Sequence, residues 1–330
     1  MREIILILTN KADTHPTSVI NLMREMNIPF FRLNTESLLT DYDFTWYCDN
    51  GLEDLVVKNI HNNQEIHGQQ IKSVWCRRPE SPSELRWVTK FKDYNLKEAD
   101  RFLWWLMSYL SNIYSIGSIR NNKYASSKLV QLSLAARLGM IIPRTCMTNT
   151  KESIIEFASN ETDLLLKPFG ADGFEADDLY YLTYATKTNS KDIFSQPEEA
   201  FSQTVNFCEN YVPKDFEVRA TVMGPHIFAC KLDSQNQKED EGKIDWRQGY
   251  DFGLKHEMIT MPEGVNTFCR QYLREMGLNF GCFDFIVRPD GQYVFLECNP
   301  NGQWGWIEDE LGISSMSEAM VDCLVNCKTV

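Results

Sequence analysis

NFGCFDFIVRPDGQYVFLECNPNGQWGW, residues Asn279 to Trp306, decides the fold. It reads as two short apolar strands, Phe280–Val287 and Gln292–Cys298, joined by a turn at Arg288-Pro289-Asp290-Gly291. Proline fixes one φ there and glycine admits a positive one, as a tight hairpin requires. Both strands are apolar on both faces, which predicts burial on two sides. Into this setting the sequence puts Asp284, Glu297 and Asn299. An ionised carboxylate is rarely buried without a cation or a hydrogen-bond donor. A register in which facing residues have numbers of odd sum places Asp284 and Glu297 on one face, with Asn299 two residues on. Three oxygen ligands at a strand end suit Mg2+, which prefers hard oxygens and bridges carboxylate to nucleotide phosphate. Taken alone, the trio reads more readily as two solvated carboxylates beside an Asn-Pro turn, since spacings of this sort are common. The rest of the chain separates the two readings.

The 330 residues are enough for two or three packed units, and 43% hydrophobic with 24% charged residues is the balance of an ordinary globular protein. A formal charge of −13 argues against a nucleic-acid partner, which selects a basic face. It leaves room for a small anionic ligand held by a few gathered cations. No apolar run approaches the length of a membrane span, and Thr9-Asn10-Lys11 cuts short the apolar start that a signal peptide needs. The 10 cysteines are scattered without C-x-x-C pairs, so they read as reduced core residues of a cytoplasmic protein.

The chain opens strand–helix–strand: Ile4–Leu8, Pro16–Asn27, then Phe30–Leu33, the mark of a parallel α/β unit. Phe44–Cys48, Leu55–Asn59 and Ile71–Cys76 are expected as further strands of this first unit. No G-x-G-x-x-G follows the first strand, which argues against a dinucleotide site there. Asp100–Ile116 is predicted as a helix too apolar all round to face water, with Trp104 and Trp105 in a core or a dimer face. Arg77 and Arg78 stand at a strand end, where α/β sheets present ligand contacts. On extended chain they point opposite ways, so one of them at most enters a given cleft.

A second unit is expected from about Asn121. Ser127–Leu138 is its first helix, with Leu129, Leu132 and Ala136 inward and Gly139 as the stop. Asp163–Pro168 is a buried strand carrying one lysine, Lys167, followed by a glycine loop at Gly170–Gly173 whose amides can approach a phosphate. The third unit starts near Phe207. Glu209, Asn210, Tyr211 and Val212 form an extended connector suited to pairing an adenine edge with backbone groups. A hairpin around Met223-Gly224-Pro225 alternates Glu217 and Arg219 on one face; then come a polar loop, Ser234–Gly242, and the charged cluster Asp245-Trp246-Arg247. Val265–Met276 is an amphipathic helix closed by Gly277, and Ser315 with Glu318 matches a capping box.

Taken in order, Lys128, LLLKP (Leu164–Pro168), ENYVPKDFEVR (Glu209–Arg219), DWR (Asp245–Arg247) and the DFIVRPDG…VFLECNPNGQW hairpin resemble the ATP-grasp ligases. VWCRRP (Val74–Pro79), PRTCMTN (Pro143–Asn149) and NGQWGWIE (Asn301–Glu308) are similar to the microviridin-type, or graspetide, peptide-modifying synthetases within them. The resemblance covers essentially the full length. It implies an α/β chain, α+β in its C-terminal part, with a parallel pre-ATP-grasp domain at 1–118, a central ATP-grasp subdomain at 119–206 and a C-terminal subdomain at 207–330. It implies ATP and Mg2+. Lys128 and Lys167 would hold the α- and β-phosphates, Glu209 to Val212 the adenine, and Asp284, Glu297 and Asn299 the metal. Arg219 and Arg247 would face the γ-phosphate and the acyl phosphate made from it. Arg77 or Arg78, with Asp245, would lie on the substrate side. Glu209 stands where glutamine is expected in this branch, and a carboxylate can only accept hydrogen bonds.

The implied partner is a ribosomal precursor peptide with leader and core, the leader docking near 234–255, and a homodimer is a reasonable state. The implied reaction phosphorylates a peptide carboxylate, and a Ser/Thr hydroxyl or Lys amine then closes an ester or amide macrocycle. Two other readings stand beside it: an ATP-grasp ligase adding a free amino acid or amine to a carboxylate, and a nucleotide-binding protein without ligase activity.

Overall fold

The computed structural model describes residues 3–158, 163–170, 173–176, 179–236, 240–248 and 253–330. The middle of the expected glycine loop, Asp172 included, positions 237–239 of the polar loop and 249–252 of the expected leader-docking stretch lie outside these residues.

The first apolar run forms β1 (Ile4–Thr9), and the helix Thr17–Glu25 packs Val19, Ile20 and Met23 inward before the chain returns as β2 (Phe30–Asn34), parallel to β1. β3 (Tyr42–Asp49), β4 (Leu52–Asn59) and β5 (Glu65–His67) do not join that sheet. Asn50 and Gly51, both at positive φ, turn β4 back along β3, and the three make an antiparallel sheet of their own. β6 (Ile71–Cys76) and β7 (Ser115–Ile116) complete the parallel sheet, in the order β2-β1-β6-β7. The chain leaves β1 on one side for β2 and on the other for β6. The C-terminal ends of β1 and its neighbours therefore form a switch point, where such sheets tend to place function.

The helix expected at 100–116 runs instead over Lys92–Leu110, and Ser115–Ile116 pairs with β6. Ala99, Leu103, Leu106 and Leu110 make its inward stripe, while Trp104 and Trp105 stand exposed. One helix face suffices for burial here, so the indoles are left outside.

In the central unit the helix Lys128–Arg137 turns Gln131, Leu132, Leu134 and Ala135 inward. Leu129 and Ala136, expected inside, face out. β8 (Thr145–Thr148), β9 (Leu164–Lys167), β10 (Phe174–Ala176), β11 (Leu179–Tyr181), β12 (Thr186–Thr188) and β13 (Asn206–Asn210) follow. Four of them form the antiparallel sheet β12-β9-β13-β8, and β10 pairs only with β11.

The last unit is the antiparallel sheet β16-β15-β14-β17-β18, made from β14 (Phe216–Met223), β15 (His226–Leu232), β16 (His256–Ile259), β17 (Phe280–Val287) and β18 (Tyr293–Asn299). The helix Glu263–Met276 ends at Gly277 (φ 64°) and lays Phe268 and Tyr272 over Phe283 and Phe295 with ring centroids 5.4–6.3 Å apart. Each fully buried ring contributes roughly 1.5–3 kcal/mol. The capping box expected at Ser315 and Glu318 does not form: the N-cap of the final helix, Ser315–Asn326, is Ser314, which makes no side-chain hydrogen bond to the helix backbone and donates its hydroxyl to Glu318 instead. Glu308, buried on the preceding helix Gly305–Leu311, accepts from the Ser317 amide at 2.8 Å and so satisfies a buried helix-end donor. One apolar cluster runs from Leu132 and Leu134 to Phe283 and Phe295, and another from Ile5 and Trp75 to Trp304 and Met320, so the C-terminal unit shares its core with both others. Among the described residues no helix is long and apolar enough to cross a membrane.

Candidate active site

β17 and β18 pair as Phe285–Phe295 and Ile286–Val294 near the turn, but as Asp284–Glu297 and Cys282–Asn299 beyond it. Leu296 is the extra residue, a bulge that resets the parity of the pairing. Continuing the turn-side register would set Asp284 opposite Leu296 and Glu297 opposite Phe283, on the core face. The bulge instead brings Glu297 and Asn299 onto the face of Asp284. β14 extends that row, since Arg219 pairs with Asp284. Arg219, Asp284 and Glu297 thus lie side by side across three strands.

This row floors a cavity of about 350 Å³ between the sheets β12-β9-β13-β8 and β16-β15-β14-β17-β18. Lys128, Lys167, Glu209, Asn210, Val212, Arg219, Asp245, Arg247, Asp284, Glu297 and Asn299 all line it. Tyr211 does not: the connector alternates, its amide donates to the Asp163 carbonyl at 3.0 Å, and its ring lies 4.2 Å from the Lys187 ammonium. Asn210 turns its side-chain oxygen to the Arg144 amide at 2.7 Å, which pins the connector to the entry of β8.

The charges in the cavity are paired with one another. Arg219 Nη1 donates to Asp284 Oδ2 at 2.7 Å, Lys128 Nζ contacts Glu297, and Lys167 Nζ is 2.5 Å from Glu209 Oε2. Arg247 makes a two-pronged pair with Asp245, Nε to Oδ1 at 2.8 Å and Nη2 to Oδ2 at 2.6 Å. Burial, with Lys167 nearby, pulls the Lys128 ammonium down to about 8. Three buried polar atoms on the cavity walls make no hydrogen bond: Asp284 Oδ1, Glu209 Oε1 and Arg219 Nε. Buried polar atoms are ordinarily satisfied, so orphans on a cavity wall mark places for ligand atoms.

Gln131 and Lys214, which sequence reasoning missed, and Glu217, which it noted only as sharing a face with Arg219, hold the site together. Gln131 donates to the carbonyls of Ala125 (2.6 Å) and Cys298 (2.7 Å) and accepts from the Cys298 amide, tying the helix of Lys128 to the strand of Glu297. Lys214 and Glu217 form a buried ion pair at 2.5 Å on the cavity wall. Lys214 also donates to the Ile244 carbonyl, and Ser234 to Glu217, both at 3.0 Å. The pair thereby fastens the segment that leads into Asp245-Trp246-Arg247. Burial pushes the Glu217 carboxyl up against the pull of Lys214.

Of the two arginines after β6, Arg77 is buried and its Nη1 donates to the Asn301 carbonyl at 2.6 Å, whereas Arg78 is exposed. They do point opposite ways.

Asp284, Glu297 and Asn299 offer a donor set of hard oxygens, and the orphaned Asp284 Oδ1 faces a ligand-sized space; the set fits Mg2+. Among the described residues no three His, Cys, Asp or Glu side chains converge, so such an ion would lean also on the nucleotide's own phosphates.

Residues 4–123 match the family model of the MvdD pre-ATP grasp domain. No curated protein matches the sequence. Among solved structures, the chain is similar to a Chryseobacterium gregarium RiPP-associated ATP-grasp ligase in complex with ADP and a leader and core peptide. The TM-score is 0.89 and the identity 22%, covering 98% of this chain and 97% of that one. It is similar to the macrocyclase MdnB from Microcystis aeruginosa MRC (TM-score 0.75, 26% identity, 98% and 99% covered). A third likeness is the ATP-grasp ligase PsnB complexed with minimal precursor, Mg and ADP (TM-score 0.74, 19% identity, 98% and 96% covered). The fold is that of the ATP-grasp ligases, with the charged cavity between the sheets β12-β9-β13-β8 and β16-β15-β14-β17-β18. Residues 4–123 carry an MvdD-type pre-ATP-grasp domain, and the full chain is similar in structure to these ATP-grasp ligases.

Proposed function

We propose that this ligase phosphorylates Asp or Glu side chains of a ribosomal precursor peptide with ATP and joins them to Ser/Thr hydroxyls or Lys amines, closing macrocyclic esters or amides. The observation that carries the reading is the single cavity in which Lys128, Lys167, Arg219 and Arg247 converge on Asp284, Glu297 and Asn299.

A carboxylate is a poor electrophile because oxide is a poor leaving group. Its oxygen attacks the γ-phosphorus of ATP, ADP departs, and the acyl phosphate formed carries phosphate as a good leaving group. The hydroxyl or amine then attacks the acyl carbon, loses its proton and expels phosphate. The protein's work is positioning and charge neutralisation. Lys128 and Lys167 hold the α- and β-phosphates; Arg219 and Arg247 face the γ-phosphate and the acyl phosphate. Glu209, Asn210 and Val212 take the adenine, and the unbonded Glu209 Oε1 is an acceptor for its exocyclic amine. Asp284, Glu297 and Asn299 hold Mg2+, which when bound neutralises phosphate charge. Asp245 orients Arg247, and Arg78 lies on the substrate side. The leader docks near 234–255, and deletion of Ser234–Gly242 that leaves peptide binding unchanged would count against that placement. The exposed Trp104 and Trp105 support a homodimer, and ten free thiols support a reducing, cytoplasmic setting.

The test is mass spectrometry of a candidate precursor incubated with enzyme, ATP and Mg2+. The reading expects loss of one water per linkage. A mass gain on an acceptor would replace it with the amine-adding ligase, and no change in any precursor carrying a matching leader would overturn it.

A further inference from the structure

The loop after Asn299 is gripped from the first domain. Arg77 extends β6, its amide donating to the Leu8 carbonyl of β1 at 2.9 Å, and its guanidinium is buried between Asp13, 3.9 Å from Nε, and the Asn301 carbonyl, 2.6 Å from Nη1. Asn301 is held a second time by Asn122, whose Nδ2 donates to its Oδ1 at 3.2 Å. The Asn301 amide in turn donates to the Oδ1 of Asn299 at 2.9 Å, and the Gly302 amide to the Asn299 carbonyl at 3.2 Å. Just beyond, Trp304 is buried against Trp75, with ring centroids 5.9 Å apart. Gly117 (φ 72°) completes the junction: a Cβ there would sit 2.0 Å from the Cys76 carbonyl and 3.2 Å from Asn301 Oδ1. A charged hydrogen bond in a buried site is directional and strong, about twice a neutral one. The direction of the Asn299 amide oxygen is therefore set by a chain of contacts that starts in another domain.

We propose that Arg77 is a positioning residue for the metal site, holding Asn301 so that the Asn299 side-chain oxygen presents itself beside Asp284 and Glu297, rather than a residue that binds the substrate carboxylate. The proposal rests on the reading of Asp284, Glu297 and Asn299 as metal ligands. It gives the first domain a part in assembling the ATP site, and it leaves Arg78 as the arginine open to the peptide. Residues that orient a metal ligand usually carry 10–100-fold in metal affinity.

The probe is Mn2+ in place of Mg2+, titrated into the full-length enzyme saturated with ADP, with free Mn2+ read by electron paramagnetic resonance. Glu297→Gln comes first: if it binds Mn2+ as the wild type does, the metal-site reading itself fails. If it loses Mn2+, Arg77 is tested within a standing site. Arg77→Met is expected to weaken Mn2+ at least about tenfold while leaving metal-free ADP binding unchanged, a split that general loosening of the fold does not produce. Arg77→Lys, which keeps a donor for the Asn301 carbonyl, is expected to recover part of the loss. Asn122→Ala, at a half-buried position, tests the same link by a milder change and is expected to weaken Mn2+ a few-fold. Mn2+ affinity within twofold of wild type in folded Arg77→Met, or in Asn122→Ala should Arg77→Met not fold, overturns the proposal.

Discussion

Replacing Lys214 by Met tests whether the buried ion pair under the Arg247 segment is structural in the way its geometry implies. Lys214 Nζ and Glu217 Oε1 are 2.5 Å apart, and both side chains are less than a tenth exposed (3% and 7%). Removing the cation leaves a carboxylate out of water with one hydroxyl donor, Ser234, and strips the Ile244 carbonyl of its partner. Breaking a buried pair from one side costs about 3–5 kcal/mol, nearly all of it the stranded charge. Lys214→Met combined with Glu217→Leu removes the charge as well and leaves only a hydroxyl and a carbonyl unpaired, about 1–3 kcal/mol. The double variant is therefore expected to be more stable than the single one. The sign of the pH dependence follows from the carboxyl. Burial already raises it, and without Lys214 it rises further, so the native state prefers the protonated form. The penalty of Lys214→Met is largest at neutral pH and shrinks as pH falls toward the ordinary carboxylate range. Urea unfolding followed by tryptophan fluorescence, at pH 7 and pH 5, reads all three quantities. A single-variant cost under about 1 kcal/mol, a double variant no better than the single, or a pH-independent penalty would refute the reasoning.

Glu297→Gln is expected to cut ATP turnover at least about 100-fold while metal-free ADP still binds, read by ADP release and by calorimetry. Arg78→Ala is expected to leave nucleotide affinity within twofold and to lower the specificity constant for the precursor peptide, because that side chain is exposed rather than built into the ATP cavity. Asp322 is held down to about 2 chiefly by the hydrogen bond from Lys328, with His226 and Asn326 adding to it. Its contribution is thus present above about pH 4 and lost between pH 4 and 2; Asp322→Asn should flatten the melting temperature over that window and cost under about 1 kcal/mol at pH 7, since the pair is solvent-screened. Trp105→Glu on the exposed face of the helix Lys92–Leu110 should leave the fold intact and convert the proposed homodimer to monomer in sedimentation; a mass unchanged from the wild type's refutes a dimer through this face.

Local pattern made the hairpin and its neighbours legible. Two apolar runs and a Pro-Asp-Gly turn placed β17 and β18, and the carboxylates set in those runs pointed to a cation once the other motifs of the chain stood beside them. The register was another matter. Asp284 meets Glu297 only because Leu296 is bulged, and nothing in a run of Tyr-Val-Phe-Leu-Glu marks which residue will bulge. Gln131 was invisible because its partner, Cys298, is 167 residues away and a lone glutamine on a helix gives no signal. Lys214 sits in the motif Glu209–Arg219 but looked like any surface lysine until Glu217 and the Ile244 carbonyl closed around it. Trp104 and Trp105 misled in the opposite direction: apolar content predicted burial, yet Leu103, Leu106 and Leu110 fill the core-facing stripe and the 3.6-residue period turns the indoles out.

The pairing inside the cavity bears on how a chain of net charge −13 can hold a polyanion. Lys128 covers Glu297, Lys167 covers Glu209 and Arg219 covers Asp284, so three of the four cations proposed for phosphate are matched with acids proposed for metal or adenine, and Arg247 is matched with Asp245. The pairs keep buried charges from standing alone, which would cost several kcal/mol per ion. On the proposed assignments, Mg2+ and ATP together would allow an exchange of partners: Asp284 and Glu297 would turn to the metal, Glu209 to the adenine and the cations to the phosphates. Either ligand alone would leave one half of the Lys128–Glu297 and Arg219–Asp284 pairs uncompensated. The two should therefore bind with positive coupling that originates in the protein, in addition to the affinity of the metal for the nucleotide.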